Sequence, residues 1–116
     1  MAFVRVCSTA DVPTDEAFGV TVDRCDVAVA KHVTSDGDVE YFALQDLCSH
    51  AAVALSEGEV ADCTVECWLH GSTFDLRTGK PTTLPATESV ATFPVEVRGD
   101  DVYVDVETTL NGVSPS

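Results

Sequence analysis

Positive charge is scarce in this chain. Six lysines and arginines stand against twenty aspartates and glutamates, a formal net charge of −14. A nucleic-acid binder must neutralise phosphates with a basic patch, so the balance argues against that class of partner. Long apolar runs are also missing: nothing approaches the ~20 residues that a membrane-spanning helix needs, so no membrane partner is expected. The N-terminus, Met1-Ala2-Phe3-Val4-Arg5-Val6, lacks a signal-peptide layout and reads directly as a strand, which points to the cytoplasm. Repeats and low-complexity segments are absent. The 116 residues are enough for one domain with a modest core.

Histidine is scarce too, at three residues, yet two of the three fall in one short stretch beside cysteines. Cys48-Ser49-His50 is followed, sixteen residues on, by Cys67-Trp68-Leu69-His70. This is C-x-H, a spacer, then C-x-x-H, with sulfur before nitrogen each time. Two loops of that kind offer two thiolates to one iron and two imidazoles to another. That is the ligand set of a Rieske [2Fe–2S] cluster, in which two histidines replace two cysteines on one iron. Zinc also takes two cysteines and two histidines, but around a single ion and with wider spacing than the one residue between Cys48 and His50. Ordinary buried cysteines beside surface histidines would need both pairs to arise by chance. The remaining cysteines, Cys7, Cys25 and Cys63, read as small buried hydrophobes.

The rest of the chain is dominated by strand patterns. Residues 2–7 alternate. Asp11 to Phe18 reads as loop or turn, and Val20-Thr21-Val22 as a short strand. Cys25 to Val33 is a core strand, and Ser35-Asp36-Gly37-Asp38 a hairpin turn. Val39 to Leu44 is its partner strand, with Tyr41 and Phe42 on opposite faces. His32 is an ordinary strand histidine. Ala51 to Leu55 is an apolar stretch expected under the first ligand loop, and Ser56 to Glu59 turns back. Thr64-Val65-Glu66 leads into the second ligand loop, and Thr73 to Leu76 leads out. Gly79 to Ala91, with Pro81 and Pro85, is a long loop without helix. Phe93 to Val97 and Val102 to Val106 form a hairpin around Arg98 to Asp101, with Val102, Val104 and Val106 on one face. Asn111 to Ser116 reads as a frayed tail. The expected fold is all-β: an antiparallel sandwich or partial barrel with an inserted cluster-binding lobe of two loops.

Cys48-x-His50, Cys67-x-x-His70-Gly71 and Phe74-Asp75-Leu76-Arg77-Thr78-Gly79 resemble the small Rieske-type ferredoxins of multicomponent non-haem iron oxygenases. The likeness covers most of the chain and is densest from about residue 46 to residue 86. It implies a single Rieske domain, with a cluster-binding lobe at about 46–77 on a basal β domain of 1–45 and 78–110. It also implies one [2Fe–2S] cluster, with Cys48 and Cys67 on the inner iron and His50 and His70 on the exposed outer iron. The implied role is to carry single electrons from a flavin-containing ferredoxin reductase to a terminal oxygenase, with no reaction catalysed by this chain. An accessory or redox-sensing module of iron–sulfur metabolism would carry the same motif and is the competing expectation. The acidity then suits either solubility or steering toward basic patches on redox partners.

High-potential relatives add a disulfide between the ligand loops, whose cysteines would fall at Val53 and at Leu69 or Trp68; this chain has none there. They also place a serine two residues, and a tyrosine four residues, after the second histidine. Ser72 matches the first, and Phe74 replaces the second. One hydroxyl donor to the cluster sulfurs is kept and one lost, which implies a potential in the lower half of the Rieske range of roughly −150 to +300 mV. Among the acids, only near ones such as Asp46 and Glu66 could matter individually, since a charge ~10 Å away in water is worth ~0.4 kcal/mol. Trp68, where the family usually has a small residue or proline, and Leu69 are candidates for packing over the loop or for docking a partner. Pro85 is placed in a loop covering the cluster.

Overall fold

The computed structural model describes residues 3–22, 25–46, 54–61, 63–67, 71–83 and 89–112. Ten strands follow in chain order: β1 Val4–Ser8, β2 Ala17–Val22, β3 Cys25–Val33, β4 Val39–Gln45, β5 Val60–Ala61, β6 Thr64–Glu66, β7 Thr73–Asp75, β8 Thr92–Phe93, β9 Val95–Arg98 and β10 Asp101–Val104. Short 3-10 turns at Thr9–Asp11 and Leu55–Glu57 are the helical elements among the described residues. The strands make three sheets, ordered β1-β10-β9, β2-β3-β4-β8 and β5-β6-β7. Every pairing between these strands is antiparallel.

The four-stranded sheet is the middle layer, and the apolar run of β3 explains why. Val27, Ala28, Val29 and Ala30 are all buried, which a strand covered on one face only would not show. Val27, Val29 and Ala43 face a core shared with Cys7, Val102 and Val104 of the β1-β10-β9 sheet. Ala30 and Leu44 face a second core shared with Leu55, Val60, Val65, Cys67, Phe74 and Leu76. Tyr41 and Phe42 fall on opposite faces as the two-residue period requires, one packed against each core. The small β5-β6-β7 sheet therefore rests on a flat apolar face that β3 and β4 supply.

The strand expected at Phe93 to Val97 divides at Pro94, which has no N–H to give a ladder: Thr92–Phe93 pairs with β4 and Val95–Arg98 with β10, in different sheets. Three further boundaries differ from the sequence expectation. β2 starts at Ala17 and takes in Phe18, because Ala17 pairs with Ala30 and Phe18 with Val29 along the long edge of β3. The acids and Pro13 before it masked that register. The last hairpin is tighter than its charged residues suggest: Arg98 and Asp101 are themselves a pair, and only Gly99 and Asp100 turn. β10 ends at Val104, so Val106 packs on the same core from outside the strand, after buried Asp105. Asn111 is docked rather than frayed. Its amide donates to the carbonyls of Thr78 and Val90, both at 2.8 Å, and its oxygen accepts from the Thr92 N–H at 3.3 Å.

Cys7, Cys25, Cys63 and Cys67 are unpaired thiols. Burial pushes the Cys7, Cys25 and Cys63 thiols above their ordinary range, and Asp11 adds to this at Cys7. Unfolded chain would ionise these thiols first, so the unfolded state binds fewer protons and stability falls as pH rises through the alkaline range. The melting temperature is expected to drop from about pH 8.5 upward, with a shallower slope in Cys7→Ala than in the parent chain. Equal slopes would remove the Cys7 thiol as a cause.

Candidate metal centre

The second ligand loop grows out of the β6–β7 hairpin. Val65 pairs with Phe74 and Glu66 with Thr73, so Cys67 and Ser72 stand at the open end where the two strands part. The Cys67 N–H donates to the Ser72 carbonyl at 2.6 Å, and the Gly71 N–H donates to the Cys67 carbonyl at 2.8 Å. Gly71 takes φ +74°, and a Cβ added there would meet no atom within 4 Å. Glycine is needed for the left-handed backbone itself, not for space. Cys67 is fully buried against Leu55, Val65, Phe74 and Leu76, and Ser72 is fully buried too.

A hydroxyl cluster, which sequence reading missed, ties the next segment to this loop. The Thr73 hydroxyl bonds the Thr82 hydroxyl and lies 3.2 Å from that of Thr83. The Thr73 N–H donates to the Thr83 hydroxyl at 2.9 Å, and the Thr82 N–H returns a bond to the Thr73 carbonyl at 2.7 Å. Phe74 and Pro81 form a bridge beside it. The Pro-Thr-Thr run was the available signal, but nothing in it names a partner nine residues back. Pro85 follows this anchored segment and lies outside the described residues.

The first ligand loop leaves from β4. The Gln45 N–H donates to the Ala91 carbonyl at 2.9 Å, and its side-chain oxygen accepts from the Ala91 N–H at 3.0 Å. Asp46 then binds the Asp26 carbonyl through its own N–H at 2.8 Å. The chain returns at Ala54, and Leu55 is fully buried in the same core as Cys67; the rest of the apolar stretch, Ala51 to Val53, lies outside the described residues. Cys48, His50, Trp68, Leu69 and His70 lie outside the described residues. Cys67 and Ser72 are thus the candidate site residues that the structure places. His32 sits in β3 opposite Glu40, with Nδ1 3.5 Å from a carboxylate oxygen of Asp15, as a strand residue.

Farther from the site, the Arg77 guanidinium binds both carboxylate oxygens of Glu40, at 2.9 and 2.7 Å, and lies 5.4 Å from the centre of the Phe42 ring. The pairing holds Glu40 below the usual carboxylate range. It joins the turn after β7 to β4 at the surface.

A buried, unpaired thiol in a closed loop suits a soft metal, and the other cysteine and two histidines of the motif complete a sulfur and nitrogen donor set. Two sulfurs and two ring nitrogens on an antiparallel β scaffold form a donor set that an iron–sulfur electron carrier can use. The model of the Rieske [2Fe-2S] domain matches residues 2–94, and the chain belongs to that family. It is similar to the 3-phenylpropionate/cinnamic acid dioxygenase ferredoxin subunit of Escherichia coli K12, 40% identical over 104 residues, covering 89% of this chain and 92% of that one. Among solved structures it resembles the ferredoxin of carbazole 1,9a-dioxygenase from Nocardioides aromaticivorans IC177, with a TM-score of 0.79, 32% identity, and 90% and 97% of the two chains covered. It also resembles a chain in the complex of reduced oxygenase and oxidised ferredoxin of carbazole 1,9a-dioxygenase, with a TM-score of 0.76, 33% identity, and 88% and 91% covered. The fold is the Rieske fold, and the chain is a Rieske-type ferredoxin that carries one [2Fe–2S] cluster and transfers electrons rather than catalysing a reaction. No helix among the described residues is long and apolar enough to cross a membrane.

Proposed function

We propose that this ferredoxin carries single electrons in the cytoplasm from a flavin-containing reductase to a terminal non-haem iron oxygenase. The reading assigns Cys48 and Cys67 to the inner iron and His50 and His70 to the outer one, on a lobe of about residues 46–77. The observation that carries it is Cys67: a buried free thiol closing the β6–β7 loop at the first position of the C-x-x-H motif. The complex of a similar ferredoxin with its oxygenase supports the partner class.

The bound cluster supplies reversible one-electron chemistry. The chain's own contribution is to hold it and to govern what surrounds it. The Cys67–Gly71–Ser72 turn fixes one sulfur donor and keeps water from it. Ser72, fully buried next to the loop, is assigned as a hydroxyl donor to a cluster sulfur, and Trp68, Leu69 and Pro85 are assigned to the cover and docking rim.

Iron and sulfide assays, visible absorption and electron paramagnetic resonance of the purified protein test the assignment. Two irons and a Rieske signal are expected, and Cys67→Ala is expected to abolish both. Colourless protein containing zinc, or a reduced-state spectrum of four thiolates, would overturn it. Rapid reduction by a flavoprotein reductase and reoxidation by an oxygenase then select the carrier role over an accessory one.

Phe74 is fully buried in the core that holds Cys67. Phe74→Tyr is expected to raise the midpoint potential by about 60 mV, the equivalent of one hydrogen bond of ~1.4 kcal/mol to a sulfur that gains charge on reduction. An unchanged potential in a variant with intact cluster would show that the hydroxyl does not reach the sulfur.

A further inference from the structure

We infer that Asp46 and Ser56 form a clamp that sets the first ligand loop, and that Gly19 is there to admit it. The inference rests on the reading above that Cys48 and His50 ligate the cluster. Asp46 and Ser56 bracket the loop from either side. One carboxylate oxygen of Asp46 accepts the Ser56 N–H at 2.7 Å, and the other accepts the Ser56 hydroxyl at 2.7 Å. A single residue pair therefore closes an excursion of nine intervening residues with two charge-assisted bonds in a half-buried setting. Cys48 is the only cysteine between these positions, so no disulfide can close this loop on itself.

Each half of the clamp is fixed to the body of the fold. Asp46 is held to the end of β3 through its N–H on the Asp26 carbonyl at 2.8 Å. Ser56 lies in the 3-10 turn whose Leu55 is fully buried. Gly19 of β2 is the third element. A Cβ added there would stand 2.8 Å from Asp46 Oδ2 and 2.8 Å from Ser56 Oγ. The two atoms in its way are the two ends of the same hydrogen bond, so any side chain at position 19 presses on the clamp rather than on backbone. Closing the loop in advance removes conformational freedom that cluster binding would otherwise have to remove. Asp46 and Ser56 are positioning residues, acting through the loop they close.

The geometry separates the clamp from the charge. In Asp46→Asn the amide oxygen can still accept from the Ser56 N–H and the amide nitrogen can donate to the Ser56 hydroxyl. In Asp46→Ala both bonds go. Gly19→Ala keeps both residues and forces them apart from a strand that carries none of the candidate ligands. The test is bleaching of the visible absorption of the holoprotein under excess iron chelator, with the line shape of the reduced protein's paramagnetic signal recorded on the same samples. Asp46→Ala and Gly19→Ala are expected to bleach about tenfold faster than the parent and to broaden the signal, with Asp46→Asn within about threefold of the parent. Cys7→Ala, in the opposite core, is the control for general destabilisation and is expected to keep the parent's line shape. Should Asp46→Ala fail to fold, Gly19→Ala and Ser56→Ala carry the same comparison. A parent with a Rieske signal and clamp variants that bleach at its rate would overturn the clamp alone. Asp46→Asn bleaching as fast as Asp46→Ala, or Cys7→Ala broadening the signal equally, would also overturn it. A parent with no Rieske signal would overturn the ligand reading beneath it.

Discussion

Gly58→Ala is expected to yield protein that melts far below the parent and retains little iron. Gly58 follows the Leu55–Glu57 turn, and a Cβ at this position would lie 1.6 Å from the carbonyl oxygen of Glu66 and 2.8 Å from its carbonyl carbon. Neither atom can swing aside as a side-chain end could. The Glu66 carbonyl belongs to the peptide that begins Cys67, and the Glu66 N–H is already bonded to the Glu59 carbonyl at 2.8 Å. Relief of the clash must move β6, and Cys67 moves with it. Overpacking of this kind costs on the order of 3 kcal/mol, or roughly 10–20 °C in a domain of this size. Gly99→Ala is the comparison. Gly99 takes φ +61° in the β9–β10 turn, but an added Cβ meets nothing within 4 Å. Its cost is the left-handed backbone alone, about 1–2 kcal/mol, and its iron content is expected to match the parent's. Melting curves and iron per chain on the three proteins decide this. Equal losses in the two variants would mean that Gly58 matters for its backbone and not for the approach of β6.

Much of the fold was legible because the informative signals are local. The apolar run at Val27 to Ala30 announces a strand buried on both faces, and Asp36-Gly37 announces the hairpin that turns it into β4. Cys67 was legible as a candidate ligand because few residue types bind soft metals and their spacing repeats. The parts that were not legible depend on partners distant in sequence. Phe18 looks like loop until β3 is beside it. Asn111 looks like tail until the Thr78 and Val90 carbonyls need a donor. Arg77 meets Glu40 across thirty-seven positions, and no pattern in either segment names the other. The Asp46 and Ser56 pair was hidden differently. Asp46 drew notice as a nearby charge, whereas its place in the fold is as an acceptor of two hydrogen bonds.

The rate at which the reduced protein meets an oxidising partner is expected to fall by about tenfold or more as sodium chloride rises from about 0.02 to 0.5 M, provided the partner's docking face is basic. Acids outnumber bases by twenty to six. Of the six cations, Arg5 is paired with Asp101 at 2.8 Å, Arg77 with Glu40 at 2.7 Å and Arg98 with Glu96 at 3.0 Å. Lys31 lies over the Tyr41 ring, 5.9 Å from its centre. Ion pairs cancel at short range and leave the net charge of −14 to set the far field. Asp15, Glu16, Glu57 and Glu59 line one open groove beside the Leu55–Glu57 turn, so the field has a local source where the chain returns from the first ligand loop. Salt at 0.1 M screens beyond ~10 Å and at 1 M beyond ~3 Å, so the effect should vanish within that span. Two double variants separate local from net charge. Glu57→Gln with Glu59→Gln removes two charges beside the ligand loop, and Asp36→Asn with Asp38→Asn removes two from the β3–β4 turn. Both change the net charge equally. Local steering predicts that the first slows association at low salt well beyond the second, with dissociation unchanged in each. Equal slowing would mean that net charge alone steers, and a rate indifferent to salt would leave the acidity to solubility.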